Sequence, residues 1–120
     1  MTNPKEQKYF MPPEWYPHEC CWMQWPHEFD YKNSYQEVES WSHFDFEKGR
    51  HKWAEVAKAI SNFEKVNMIV HPQDIEIAKK LLHNSINILE FHNDDCWARD
   101  SGATFLLNDK KKLGGVDWEF

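Results

Sequence analysis

Residues 65–91 read KVNMIVHPQDIEIAKKLLHNSINILEF, two short apolar runs on either side of an amphipathic segment. KVNMIVH, residues 65–71, is β-branched, apolar and closed by Pro72, which predicts a strand. QDIEIAKKLLHN predicts a helix with Ile77, Ala78, Leu81 and Leu82 as its buried stripe. Asp74 near its start and Lys79 and Lys80 toward its end suit the helix dipole. INILEF, residues 86–91, predicts a second strand. A strand, a helix and another strand in so short a span point to an α/β unit.

The same alternation extends both ways. Upstream, ECCWMQW (19–25) is an apolar and aromatic run stopped by Pro26, and predicts a buried strand. HKWAEVAKAISNF places Trp53, Val56, Ala57, Ile60 and Phe63 on one helical face. Downstream, ATFLL (103–107), NDKKK (108–112) and LGGVDWEF (113–120) predict strand, turn and strand, a hairpin. The order is β-α-β-α-β-loop-β-β. Residues 1–18 carry Pro4, Pro12, Pro13 and Pro17 and predict an extended lead-in. Residues 27–50 are polar but hold Tyr31, Tyr35, Trp41, Phe44 and Phe46. That is long for a connection inside a compact domain, so an insertion or a functional flap is expected there.

Composition narrows the function. At 120 residues the chain is the size of one small domain with a single core. A net charge of −6 argues against nucleic acid or an anionic membrane as main partner, and is compatible with a cationic ligand. No apolar run is long enough to span a bilayer, and MTNPKEQKYFMPPEW lacks the apolar centre of a signal peptide. The expected location is the cytosol. Cys20, Cys21 and Cys96 are odd in number, and the two neighbours would point to opposite faces of a strand. They are expected as reduced thiols that fill space.

The stretch with chemistry in it is DDCWARDSG, residues 94–102, directly after an apolar run. It follows the end of a strand, where α/β proteins tend to place ligands. Asp94, Asp95 and Asp100 lack the alternating spacing of a calcium loop. A zinc site from His92 and Cys96 with His18 or His27 lacks the usual tight ligand spacing. Cys96 as nucleophile is disfavoured, because Asp94 and Asp95 would raise its thiol pKa. A cation fits better: a carboxylate grips a planar guanidinium with two hydrogen bonds, and an aromatic face adds cation–π attraction. Asp100 and Trp97 would supply these. A plainer reading competes: Asp94 or Asp95 caps a turn, Arg99 pairs with Asp100, and Trp97 is ordinary core. On the residues alone the plainer reading has the better claim, since surface ion pairs are common and contribute little.

Longer matches shift that balance. MPPEWYPHECCWMQWPHE resembles the N-terminal pattern of the agmatine deiminase family, with its Met-Pro, Glu-Trp, Pro-His and Trp-x-x-Trp-Pro. WAEVAKAISNFEKVNMIV resembles that family's first helix and following strand, and NDDCWARDSGATFLLND its N-D-D-x-W-x-R-D-x-G-P-T-F block. GGVDWEF resembles the segment that normally continues into Asn, Trp and Gly. The resemblance runs almost end to end, and the acidic and N-terminal blocks together are specific.

The resemblance implies an α/β fold: the N-terminal part of a pentein, a five-bladed αβ propeller of ββαβ-type modules, with one to one and a half modules present. It implies hydrolysis of the agmatine guanidinium to N-carbamoylputrescine and ammonia, with peptidyl-arginine the substrate of related members. It implies no metal or organic cofactor. In the family a cysteine thiolate attacks the guanidinium carbon, and water then hydrolyses the amidino-enzyme with a histidine as acid and base. By match to the W-x-R-D motif, Asp100 would be a substrate carboxylate and Trp97 would line its pocket. Arg99 would form a structural ion pair, and Asp94 and Asp95 would shape the loop.

The chain also departs from the family pattern. The family's nucleophile sits in a Gly-rich stretch ending in His-Cys near its C-terminus, and its catalytic histidine in mid-chain; neither context occurs here, and none of the three cysteines matches it. No catalytic residue is therefore assigned in this chain, and alone it is expected not to turn over substrate. Ala103 stands where the family has proline, and residues 27–50 are longer than usual. A truncated deiminase domain over residues 1–120, a degenerate binding module that docks on an intact paralogue, and a self-standing module all remain open. The first is favoured, because a propeller module taken alone leaves apolar faces and strand edges uncovered.

Overall fold

The computed structural model describes residues 3–28 and 45–118. Two compact units emerge: Glu19–Ala98, and a second made of Met1–His18 with Arg99–Phe120.

In the first unit the strands are β1 (Cys20–Gln24), β2 (Lys65–Val70) and β3 (Asn87–Glu90). They form one parallel sheet in the order β1-β2-β3. Helix α1 (Phe46–Ile60) crosses from β1 to β2, and a short 3-10 turn (Pro72–Asp74) with helix α2 (Ile75–Leu81) crosses from β2 to β3. Parallel neighbours require such crossovers, which is why helical and strand patterns alternate along the chain. In the central strand, Val66, Met68 and Val70 are fully buried. They meet Ala54 and Ala57 of α1, Ala78 of α2, and Trp25, Leu82 and Ile86 in one core. Cys21 and Met23 pack against this core. Cys20 points the other way and accepts a hydrogen bond from Asn67 Nδ2 at 3.3 Å, while Asn67 accepts one from Asn87 at 2.9 Å. This polar ladder satisfies a buried asparagine in the middle of the sheet. Met68→Ala is expected to lower stability by about 2–5 kcal/mol, measured by urea denaturation, because it empties a site at the centre of the core.

Helix α1 differs from expectation in length and in the face it buries. It begins at Phe46, because Asp45 caps it by accepting a hydrogen bond from Lys48 N–H at 3.0 Å. Its buried positions are Arg50, Ala54 and Ala57, with Trp53 and Ile60 packed alongside. Val56 is half exposed and Phe63 is 90% exposed, so neither belongs to the stripe. Phe63 lies beyond the C-cap Ser61, where the chain has already left the helix. Residues 45–50 of the expected flap are thus the cap and first turn of α1. The expectation for positions 29–44 lies outside the described residues. Helix α2 is shorter than predicted. Asp74 stands at its N-cap position but makes no capping hydrogen bond with its side chain.

In the second unit, β4 (Thr104–Leu107) and β5 (Leu113–Val116) pair antiparallel as a hairpin. Its turn is organised by Asn108, whose Oδ1 accepts from the backbone N–H groups of Lys110 and Lys112. Lys111 takes a positive φ of 58° there. The lead-in is not merely extended: it turns at residues 4–8, and Phe10 exchanges backbone hydrogen bonds with Leu107. The Tyr9 ring lies against Gly114 so closely that a Cβ there would sit 3.0 Å from it. Trp118 Nε1 donates to Thr104 Oγ1 at 2.9 Å. Among the described residues no helix is long and apolar enough to cross a membrane.

Candidate functional site

The three parallel strands all point their C-terminal ends toward the same edge of the sheet, and the acidic loop leaves from there. Asn93 holds the loop down. Its Nδ2 donates to the Trp25 carbonyl at 3.2 Å and to the Asp95 carbonyl at 3.0 Å. The Asp95 carboxylate accepts from Trp97 N–H at 3.1 Å, which closes a tight turn. The Trp97 ring then stands edge-on to Trp53 of α1, with centroids 5.8 Å apart and planes at 70°. Trp97 remains 48% exposed, an aromatic surface held in place but still accessible. Asp94 is exposed, and among the described residues nothing bonds to its carboxylate.

A single turn of helix, α3 (Ala98–Ser101), follows. Arg99 donates to Glu14 rather than to Asp100, and both partners of that pair are largely exposed. Asp100 is exposed and has no ion pair or hydrogen bond to its side chain among the described residues. Cys96 is half-buried. Burial, and then the neighbouring Asp95, push its thiol pKa up, so it stays protonated at neutral pH and is a poor nucleophile. The thiol of Cys21 is raised by burial, then by Glu64 and Cys20. All three cysteines are free thiols.

Sequence reasoning missed a second feature at this edge. Asp74 is buried and uses both carboxylate oxygens. Oδ1 accepts from Arg50 at 2.9 Å and Oδ2 contacts His27 Nδ1 at 2.7 Å. Arg50 Nε also donates to the Pro26 carbonyl at 3.0 Å. The His27 ring stacks on His71, with centroids 3.8 Å apart, and His71 meets His92 edge-on with nitrogens 3.1 Å apart. One histidine thus stands beyond the end of each strand: His27 after β1, His71 after β2 and His92 after β3. Signals were present. His71 closes one predicted strand, His92 directly follows another and His27 follows a third after Pro26, and Arg50 lies four and seven residues before Ala54 and Ala57, on their helical face. Neither His92 with Cys96 nor any other group of three or more His, Cys, Asp or Glu among the described residues is arranged to hold a metal ion.

This architecture and its sequence have known counterparts. The profile of the Porphyromonas-type peptidyl-arginine deiminase family matches residues 10–120. A protein of Legionella pneumophila (strain Paris) is 45% identical over 119 residues, spanning 98% of this chain and 32% of its own length. The agmatine deiminase of Stutzerimonas stutzeri (strain A1501) is 35% identical over 120 residues, spanning 99% of this chain and 30% of its own. The solved structure of the agmatine deiminase of Enterococcus faecalis superposes with a TM-score of 0.82 at 34% identity, covering 100% of this chain and 30% of that one. The fold is therefore that of the N-terminal part of a pentein propeller. The chain belongs to the Porphyromonas-type peptidyl-arginine deiminase family, whose members include agmatine deiminases. It spans roughly a third of the length of the relatives it matches.

Proposed function

We propose that residues 1–120 form one wall of an agmatine deiminase site, in which agmatine and water become N-carbamoylputrescine and ammonia. The observation that carries this reading is the match of the whole chain to the Enterococcus faecalis agmatine deiminase structure. Two separate observations support it: Trp97 is held against Trp53 but accessible, and the Asp100 carboxylate is exposed with no partner among the described residues. Asp100 receives the guanidinium nitrogens in a two-pronged hydrogen bond, and Trp97 adds an aromatic face. Asp94 and Asp95 shape the loop, and Arg99 braces it through Glu14. Charge spread over three nitrogens makes the guanidinium carbon a poor electrophile. Gripping the ion in one orientation is how this wall contributes to thiolate attack. The nucleophilic thiolate and its acid–base partner belong to chain beyond residue 120, since the thiols here are raised in pKa or lack the family context.

A second reading shares the chemistry. The matching family is described by peptidyl-arginine, which presents the same guanidinium on a peptide. Ammonia release from agmatine and from arginine-containing peptides, measured on the polypeptide that joins these residues to the nucleophile-bearing remainder, separates the two. Turnover of agmatine with N-carbamoylputrescine as product is expected, and none by residues 1–120 alone. Turnover of peptides and not of agmatine would replace the first reading with the second.

A further inference from the structure

We propose that Asn93 is a positioning residue for guanidinium capture: its side-chain NH2 ties the Trp97 turn to the Trp25 carbonyl, and so sets where the indole face meets the cation. This rests on the reading of Trp97 as part of the guanidinium site.

The anchor belongs to the sheet. Trp25 is fully buried in the core, and its N–H donates to the Ile69 carbonyl at 2.8 Å, where the β1–β2 ladder ends. The next carbonyl, that of Pro26, accepts from Arg50 Nε at 3.0 Å, and Arg50 is held in turn by Asp74. The Trp25–Pro26 backbone is therefore fixed to β2 and to α1. On the loop side, Phe91 N–H donates to the Val70 carbonyl at 3.1 Å, so the chain is paired to within two residues of Asn93. From there Asn93 Nδ2 donates to the Trp25 carbonyl at 3.2 Å and to the Asp95 carbonyl at 3.0 Å, and Asp95 Oδ1 accepts from Trp97 N–H at 3.1 Å. The path from sheet to indole is a continuous set of hydrogen bonds within one unit.

The tie calls for an amide. Two carbonyl oxygens face one nitrogen, and each takes one of its two hydrogens. Turned round, the amide would set Oδ1 against the same two oxygens, so its orientation is settled by its partners. Oδ1 is then buried with no hydrogen-bond partner among the described residues. An unpaired buried acceptor opposes folding, so what the amide adds lies in its two donors. A carboxylate of the same shape would donate neither bond, and a hydroxyl has one hydrogen and serves one carbonyl. The consequence falls on Trp97, whose ring stands edge-on to Trp53 and is 48% exposed. A cation–π contact depends on the cation lying over the ring face. A turn already tied at Asn93 presents that face in advance. Without the tie, the turn is ordered only as the cation binds, and affinity falls by the cost of ordering it.

The test is a double-mutant cycle in the full-length polypeptide. Asn93→Ala and Trp97→Leu should each lower kcat/KM for agmatine by about tenfold, within the range that a cation–π contact supports. Together they should again lower it by about tenfold, because the tie has nothing left to position once the ring is gone. A drop of about a hundredfold in the double variant would show that Asn93 acts independently of Trp97, and the proposal would fall. Asn93→Ser keeps one donor and should lose about threefold; it takes the place of Asn93→Ala in the cycle should that variant not fold, with the same non-additive result expected. A second readout needs no turnover. In protein labelled with fluorotryptophan, the resonance missing from Trp97→Leu is that of Trp97, and it should move or broaden in the Asn93 variants. A Trp97 resonance unchanged from the wild type would overturn the proposal as well. Should that resonance respond in a protein that leaves agmatine untouched, the deiminase reading falls and the tie between Asn93 and Trp97 stands.

Discussion

Asp74→Ala is expected to destabilise the parallel-sheet unit by about 3–5 kcal/mol. Asp74 is 7% exposed and Arg50 is 9% exposed, so their contact is nearly dry. The Arg50 guanidinium stays charged at any accessible pH. With the carboxylate gone it keeps, among the described residues, one acceptor, the Pro26 carbonyl, and loses the charge that compensates it. His27 loses this contact in the same step. The pair itself is a different matter, because two desolvated charges gain little over apolar side chains of similar volume. The double variant Arg50→Met with Asp74→Ala should therefore recover most of the loss. Urea denaturation of the two single variants and the double variant measures this. A loss under about 1 kcal/mol in Asp74→Ala would show that water reaches the pair, and that it behaves as an exposed one.

That ion pair also marks where sequence reasoning stopped. Strands were readable because Val66, Met68 and Val70 are apolar and β-branched or flexible within a run bounded by Pro72. The hairpin was readable because Asn108 and the lysines after it form an evident turn. The buried face of α1 was read only in part, because only apolar residues were counted. Of the expected stripe, Ala57 is buried and Trp53 and Ile60 pack against the core, but Val56 and Phe63 do not, and the helix also buries Ala54 and Arg50, which the expectation left out. Arg50 and Asp74 are 24 residues apart, and nothing local ties one to the other. Only the parallel crossover brings the first turn of α1 beside the start of α2. The histidines follow the same logic. Each is unremarkable in its own segment, and they become neighbours because parallel strands end at one edge. The acidic loop could be singled out for the opposite reason: its residues are contiguous, so a role for them can be proposed without knowing the fold.

Asp100→Asn should lower kcat/KM for agmatine by at least about a hundredfold in the full-length polypeptide while leaving stability within about 0.5 kcal/mol. The two halves of this expectation have separate grounds. Stability should hold because the side chain is exposed and bonds to no described residue, so the fold does not draw on its charge. Turnover should fall because an amide is a poor replacement for a carboxylate facing a guanidinium. It has one accepting oxygen instead of two, no charge, and an NH2 group that meets the N–H donors of the ligand head-on. Asp100→Glu restores charge but moves it outward by one methylene, and should recover only part of the loss. Trp97→Phe keeps an aromatic face and should lose far less than Asp100→Asn, because cation–π contacts contribute about 0.5–2 kcal/mol. Arg99→Ala removes only an exposed pair with Glu14, and neither stability nor turnover should change by much. That ordering separates a guanidinium wall from a merely structural acidic turn. If Asp100→Asn retains near-normal kinetics, the carboxylate does not touch substrate. If Arg99→Ala proves as damaging as Asp100→Asn, the loop acts through its shape rather than through its charge.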